Sequence, residues 1–190
     1  MTTRREFIAT TFAAAAAPVS VLATSNATPM RLKIIGESVC ADALVFSAQC
    51  RSRGELSGYD PAALLGEIDT ELGESRIDAI VGLTRPSTRF LIEQSAARHG
   101  CFLTYHAHHR YQVNVLRHEI HAAAGAAAPL ARRLEIENPA WARALAGSFD
   151  LLADSSQSVE IRTTTVPVPR PPEGPRHLVS WMLKRFSDND

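Results

Sequence analysis

Residues 76–111 read RIDAIVGLTRPSTRFLIEQSAARHGCFLTYHAHHRY, and the fold follows from how this stretch divides. Residues 77–83 are apolar or small apart from Asp78, the composition of a strand covered on both faces. A Thr-Arg-Pro-Ser loop follows at 84–87, and Phe90, Leu91, Gln94 and Ala97 set the inward side of a helix. Gly100 stops that helix where a left-handed residue is usual, and 101–105 is strand-like again. Strand, helix and strand at these lengths make one β-α-β unit, which predicts a parallel sheet with right-handed crossovers.

Toward the amino terminus, 31–35 (RLKII) reads as a strand and Gly36 as a turn. Val39, Ala43, Phe46, Ala48 and Cys50 then recur at helical spacing within 37–53. Residues 54–60 form a Gly/Ser loop. Asp60-Pro61 opens a helix with a capping aspartate and a proline at its first position, and Leu64, Leu65, Ile68 and Leu72 share one face. Toward the carboxyl terminus, 112–121 alternates loosely and suggests a hairpin partner at the sheet edge. Residues 129–152 read as a helix broken at Asn138-Pro139, and 159–166 as an edge strand. The run VPVPRPPEGP is an extended arm, followed by a short helix presenting Leu178, Trp181, Met182 and Phe186. The expected fold is α/β, a three-layer sandwich with a mainly parallel sheet and an antiparallel edge. One domain spans 28–166, and the arm with its short helix spans 167–190.

The chain has 190 residues, 45% hydrophobic and 21% charged, with a formal net charge of +0. That composition suits a single globular domain. The balance lacks the basic excess that nucleic-acid binding requires, so no nucleic-acid partner is expected. Arg4 and Arg5 precede an apolar run over 7–23 and then small residues, the layout of a removable export signal. The run is alanine-rich and short of the roughly 20 strongly apolar residues that span a bilayer, so no stable membrane anchor is expected.

The block Thr3-Arg4-Arg5-Glu6-Phe7-Ile8 closely resembles the twin-arginine signal, Ser/Thr-Arg-Arg-x-Phe-Leu, with Ala9 where a basic residue is usual. The resemblance implies a signal over 1–27, cleavage after Ala27, and passage of the folded chain through the twin-arginine translocase to the bacterial periplasm. Gly82-Leu83-Thr84 followed by His99-Gly100 is similar to a strand–GLT–helix–HG–strand pattern in uncharacterised twin-arginine-exported bacterial proteins. That similarity carries over no activity.

Two clusters bear on chemistry. Thr84, Arg85, Ser87 and Arg89 sit where a strand's carboxyl end meets a helix amino terminus, a place suited to a small carboxylate or phosphate. No glycine-rich phosphate fingerprint accompanies them, and an N-cap with two solvated arginines reads equally from the same residues. Five of the seven histidines fall within 106–121. His106 and His108 share a face if they lie on a strand, and His118 and His121 approach each other if they lie on a helix. These four are the metal candidates. His118-Glu119-Ile120-His121 is one residue short of the His-Glu-x-x-His helix motif, so no protease is read from it. Cys40 and Cys50, on one helix, stand too far apart for a bridge, so a disulfide would need Cys101. The residues name no cofactor. The expected function is a periplasmic accessory or ligand-binding protein without recognisable catalytic machinery, its partner another periplasmic protein or a small anion. The alternatives are a histidine-cluster metal binder and a small hydrolase or transferase using the 84–89 loop.

Overall fold

The computed structural model describes residues 30–51, 53–56, 61–152, 158–171 and 173–185. The signal, with Arg4, Arg5 and the cleavage site, lies outside the described residues. The elements in chain order are β1 (Leu32–Gly36), α1 (Ala41–Cys50), β2 (Gly54–Leu56), α2 (Pro61–Gly73), β3 (Ala79–Thr84), α3 (Pro86–Ala97) and β4 (Cys101–Gln112). They continue as β5 (Val115–Ala123), α4 (Ala124–Ile136), α5 (Trp141–Ala146), α6 (Phe149–Leu152), β6 (Val159–Pro167) and β7 (His177–Arg185).

Among the described residues the strands form one seven-stranded sheet in the order β2-β1-β3-β7-β4-β5-β6. Strand β1 pairs parallel with β2 and with β3. The other neighbours, β3–β7, β7–β4, β4–β5 and β5–β6, are all antiparallel. The expected mainly parallel sheet is therefore wrong, and the sheet is mixed. The cause is the last strand. Residues 177–185 form β7, not a helix, and β7 inserts between β3 and β4, so the two strands of the 76–111 unit run the same way without touching. The apolar run Leu178–Leu183 is buried on both faces, which a strand inside a sheet satisfies residue by residue and an amphipathic helix does not.

Two apolar cores lie on opposite faces of the sheet. The first joins α1, α4, α5 and α6 to Ile34, Val81, Leu83, Tyr105, Ala107, Leu116, Ile120 and Met182. The second joins α2 and α3 to Ile35, Ile80, Val179, Trp181 and Leu183. From β4 this second core takes Cys101 and Leu103, and from β5 and β6 it takes nothing. Fully buried Lys33 of β1 ties α2 to the sheet, its Nζ 2.6 Å from Glu67 Oε1 and 3.0 Å from Glu71 Oε1.

Helix α3 turns otherwise than its pattern suggests. Phe90 and Leu91 are 57% and 47% exposed, and Thr88, Ile92, Ser95 and Ala96 face inward. The small inward residues let α3 lie close against β7 and β4. Beneath it, Gly82 is opposite Trp181, and a Cβ at Gly82 would come within 2.3 Å of Trp181 Cζ2. Trp181 Nε1 donates to Thr84 Oγ1 at 3.0 Å. The Gly82-Leu83-Thr84 triplet is thus the seat of a buried tryptophan, with Gly82 making room and Thr84 accepting the indole proton.

Candidate functional site

Strands β4 and β5 form a hairpin turning at Asn114 (φ 60°) and pair His106 with His121 and His109 with His118. The strand extends well past Tyr105, through the whole histidine run. Successive side chains point to opposite faces, so adjacent histidines part company. His106, His108 and His121 share one face, joined by His177 from β7. His109 and His118 share the other. The pairing that a helix would give His118 and His121 does not occur, because both lie on a strand three residues apart and so on opposite faces.

The first face is the open one. It belongs to the side of the sheet that α2 and α3 cover, at β5 and the parts of β4 and β7 that their core does not reach. The His106 and His121 rings stack, 4.3 Å between centroids and 18° between planes. His108 lies 5.6 Å from His106 and 6.3 Å from His121, ring to ring. His108 Nδ1 is 3.0 Å from His177 Nε2. Glu119, opposite His108 in the register, accepts from His121 Nε2 at 3.3 Å and from Arg110 Nη1 at 3.2 Å, with Arg117 Nη2 at 3.8 Å. Beyond them β6 adds exposed Thr163 and Thr165, and Ile161 at 61% exposure. Partial burial, followed by neighbouring positive charge, pulls His106 and His108 down to about 4, and His177 is lowered for the same reasons. His106 and His108 are therefore neutral at pH 7, and Arg89 of α3 is among the charges acting on both.

The second face is sealed. His109, His118 and Ser180 are fully buried, under Trp141 of α5. Tyr105 Oη lies 2.6 Å from Ser180 Oγ, Ser180 Oγ 2.8 Å from His109 Nε2, and His109 Nδ1 2.6 Å from His118 Nδ1. The chain ends on His118 Nε2, which is buried without a protein partner. Serine, histidine and an orienting histidine have the connectivity of an activated nucleophile. With Ser180 at 0% exposure in the middle of β7, no substrate reaches it, so the network serves the core. Nothing in the sequence pattern singles out Ser180 or Tyr105, because Ser180, which joins Tyr105 to His109, lies on a strand that reads as a helix.

The 84–89 loop holds an anion already. Pro86 opens α3, and the carboxylate of fully buried Glu37, from the end of β1, accepts Arg85 N (3.2 Å), Arg85 Nη2 (2.9 Å) and Thr88 Oγ1 (3.3 Å). Neither Thr84 nor Ser87 caps the helix: Arg85 stands at the N-cap, and Thr84 is turned to Trp181. Arg89 pairs with Glu93 at 3.2 Å. Arg85, Ser87, Thr88 and Leu91 line one wall of a cleft of about 210 Å³ between α2 and α3, faced by Leu64 and Leu65. The cysteines Cys40, Cys50 and Cys101 are buried free thiols, and burial pushes Cys50 up to about 12.

Fold and site define a small α/β protein with a half-buried, histidine-rich sheet surface beside a helix. No protein-family model matches the chain, and no curated protein or solved structure matches it either. Among the described residues, no helix is long and apolar enough to cross a membrane.

Proposed function

We propose that the protein is an exported periplasmic accessory or ligand-binding protein that works through the open histidine face. The observation that carries this reading is where the second core ends. Its helices cover β1, β3, β7 from Val179 onward and the start of β4, and the same side of the rest of β4 and of β5 presents His106, His108, Arg110, Arg117, Glu119 and His121 instead of apolar residues, with His177 beside them at the start of β7. A polar, partly dry ledge against the flank of α3 suits a ligand or partner recognised by hydrogen bonds and charge. Export rests on the resemblance of residues 3–8 to the twin-arginine signal. A hydrolase or transferase at the 84–89 loop has less support, because its donors already hold Glu37.

The test is native mass spectrometry of untagged protein recovered from the periplasm, alongside Thr163→Arg, which places a long cation on the open face. A bound small molecule or partner that the variant loses supports the reading. A companion that the variant retains, or wild-type protein that carries none, contradicts it. Arg4→Lys with Arg5→Lys tests the export route, and unchanged periplasmic recovery would contradict it.

A further inference from the structure

We infer that His106, His108 and His121 form a three-imidazole site for a late first-row divalent ion of the Zn²⁺ class, with His177 and Glu119 as positioning residues. This deepens the proposed use of the open face and rests on it.

His106 and His108 are two apart on β4 and so face the same way, and His121 stands directly opposite His106 on β5. Three imidazoles on two paired strands are fixed relative to one another by the ladder. Ring-centroid separations of 4.3, 5.6 and 6.3 Å bracket the spacing of about 5 Å expected when three imidazoles bind one ion at about 2.0–2.1 Å. Imidazole nitrogen selects zinc, copper or nickel over magnesium or calcium, which want oxygen. Three protein ligands leave a coordination position open, and on this face it would open to solvent.

The neighbours supply what metal-binding imidazoles need. A ligating histidine donates its second ring N–H to a fixed acceptor, which sets the tautomer. His108 Nδ1 has His177 Nε2 at 3.0 Å, and His121 Nε2 has Glu119 Oε1 at 3.3 Å. With those protons donated, Nε2 of His108 and Nδ1 of His121 carry the lone pairs. Glu119 is itself held by Arg110. His118, part of the set the sequence suggests, is excluded because it belongs to the sealed face. The rings have not converged. Among the described residues no three His, Cys, Asp or Glu side chains already stand as a metal shell, and His106 and His121 lie stacked. Binding therefore opens that stack by ring rotation.

The experiment uses the untagged, signal-cleaved chain, stripped with EDTA and titrated with zinc sulfate by calorimetry and with cobalt(II) by visible absorbance. The expected result is one ion per chain, with affinity reduced at least about 100-fold in His106→Ala, His108→Ala and His121→Ala. His177→Ala and Glu119→Gln should each weaken binding by about 10–100-fold. His99→Ala, remote from the face, should bind as wild type, and thermal unfolding shows that each variant is folded. No uptake by wild type, or wild-type affinity in the three alanine variants, overturns the site. If metal binding is absent while Thr163→Arg still removes a native companion, the metal inference falls and the use of the face stands. If zinc binds with this histidine dependence but no companion depends on the face, the proposed function falls and the metal site stands.

Discussion

The β4–β5 hairpin carries histidine on both faces, and the two sets meet opposite fates. On one face His109 and His118 are sealed under Trp141 and bonded to each other and to Ser180. On the other, His106, His108, His121 and His177 form a connected set of rings at the surface, next to Arg110 and Glu119. His108 and His109 are neighbours in sequence, and only the pleat separates a surface ligand from a core residue. Histidine is polar enough to bind and compact enough to bury. What decides its role is which helices reach which half of the sheet: α4 and α5 cover one face of the hairpin, and the core of α2 and α3 stops short of the other.

The sharpest contrast comes from truncating one histidine on each face. His109→Ala should cost about 3 kcal/mol, by opening a cavity, leaving the buried ring of His118 without its partner and leaving Ser180 with Tyr105 alone. His106→Ala should cost less than about 1 kcal/mol, since it removes a half-exposed ring. Urea unfolding of both variants in EDTA checks this, and equal losses would mean that the faces do not differ.

Acid loads the sealed face as well as the open one, where His106 and His108 are also held at about 4. Burial holds His118 at about 4, below its unfolded value, because the sealed face accommodates only the neutral ring. Its contribution to stability is fully present above about pH 6.5 and is lost as pH falls toward 4, where unfolding takes up a proton. Between pH 7 and 4 this residue alone should remove roughly 3 kcal/mol. His118→Gln should reduce that slope in urea titrations across the range, the remainder belonging to His106, His108 and His109, which burial also lowers. A slope the variant leaves unchanged would place the acid sensitivity elsewhere.

Gly82→Ala probes the covered part of the open side. It drives a methyl into the indole of Trp181 and should destabilise by about 1–3 kcal/mol, read as a lower Tm. Arg110→Ala, on the ledge itself, should change stability by less than about 0.5 kcal/mol, because its pair with Glu119 is partly solvated.

Much of the first half is legible from pattern alone. Residues 79–83 are apolar or small because both faces of β3 are buried, Asp60-Pro61 marks the start of α2, and Gly100 (φ 71°) ends the turn after α3. In the second half the hairpin strand near 112–121, the helix break at Asn138-Pro139 and the edge strand at 159–166 are legible too, and the last strand is not. The run Leu178-Val179-Ser180-Trp181-Met182-Leu183 satisfies a helix stripe and a doubly buried strand equally well, and only the slot between β3 and β4 decides. Misreading it removes β7, leaves the sheet mainly parallel, and hides both His177 and Ser180. Of the histidine set, the strand pairing of His106 with His108 can be read from alternation. The partition of His118 from His121 follows once the alternation over 112–121 is carried through as a strand, and is missed only if the two are placed on a helix. Nor can spacing reveal that the loop at Arg85 is filled by Glu37, which lies 48 residues away in sequence.

The central claim is that one face of the hairpin is available to a ligand and the other is not. The most direct measurement is histidine-selective ¹H–¹⁵N NMR of the EDTA-stripped, signal-cleaved protein, recorded through a zinc titration at pH 7. Shifts in the ring nitrogens of His106, His108 and His121 that saturate at one ion per chain, with His109 and His118 unmoved, are the predicted result. Zinc-induced shifts in His109 or His118, or none in the other three, would contradict the account.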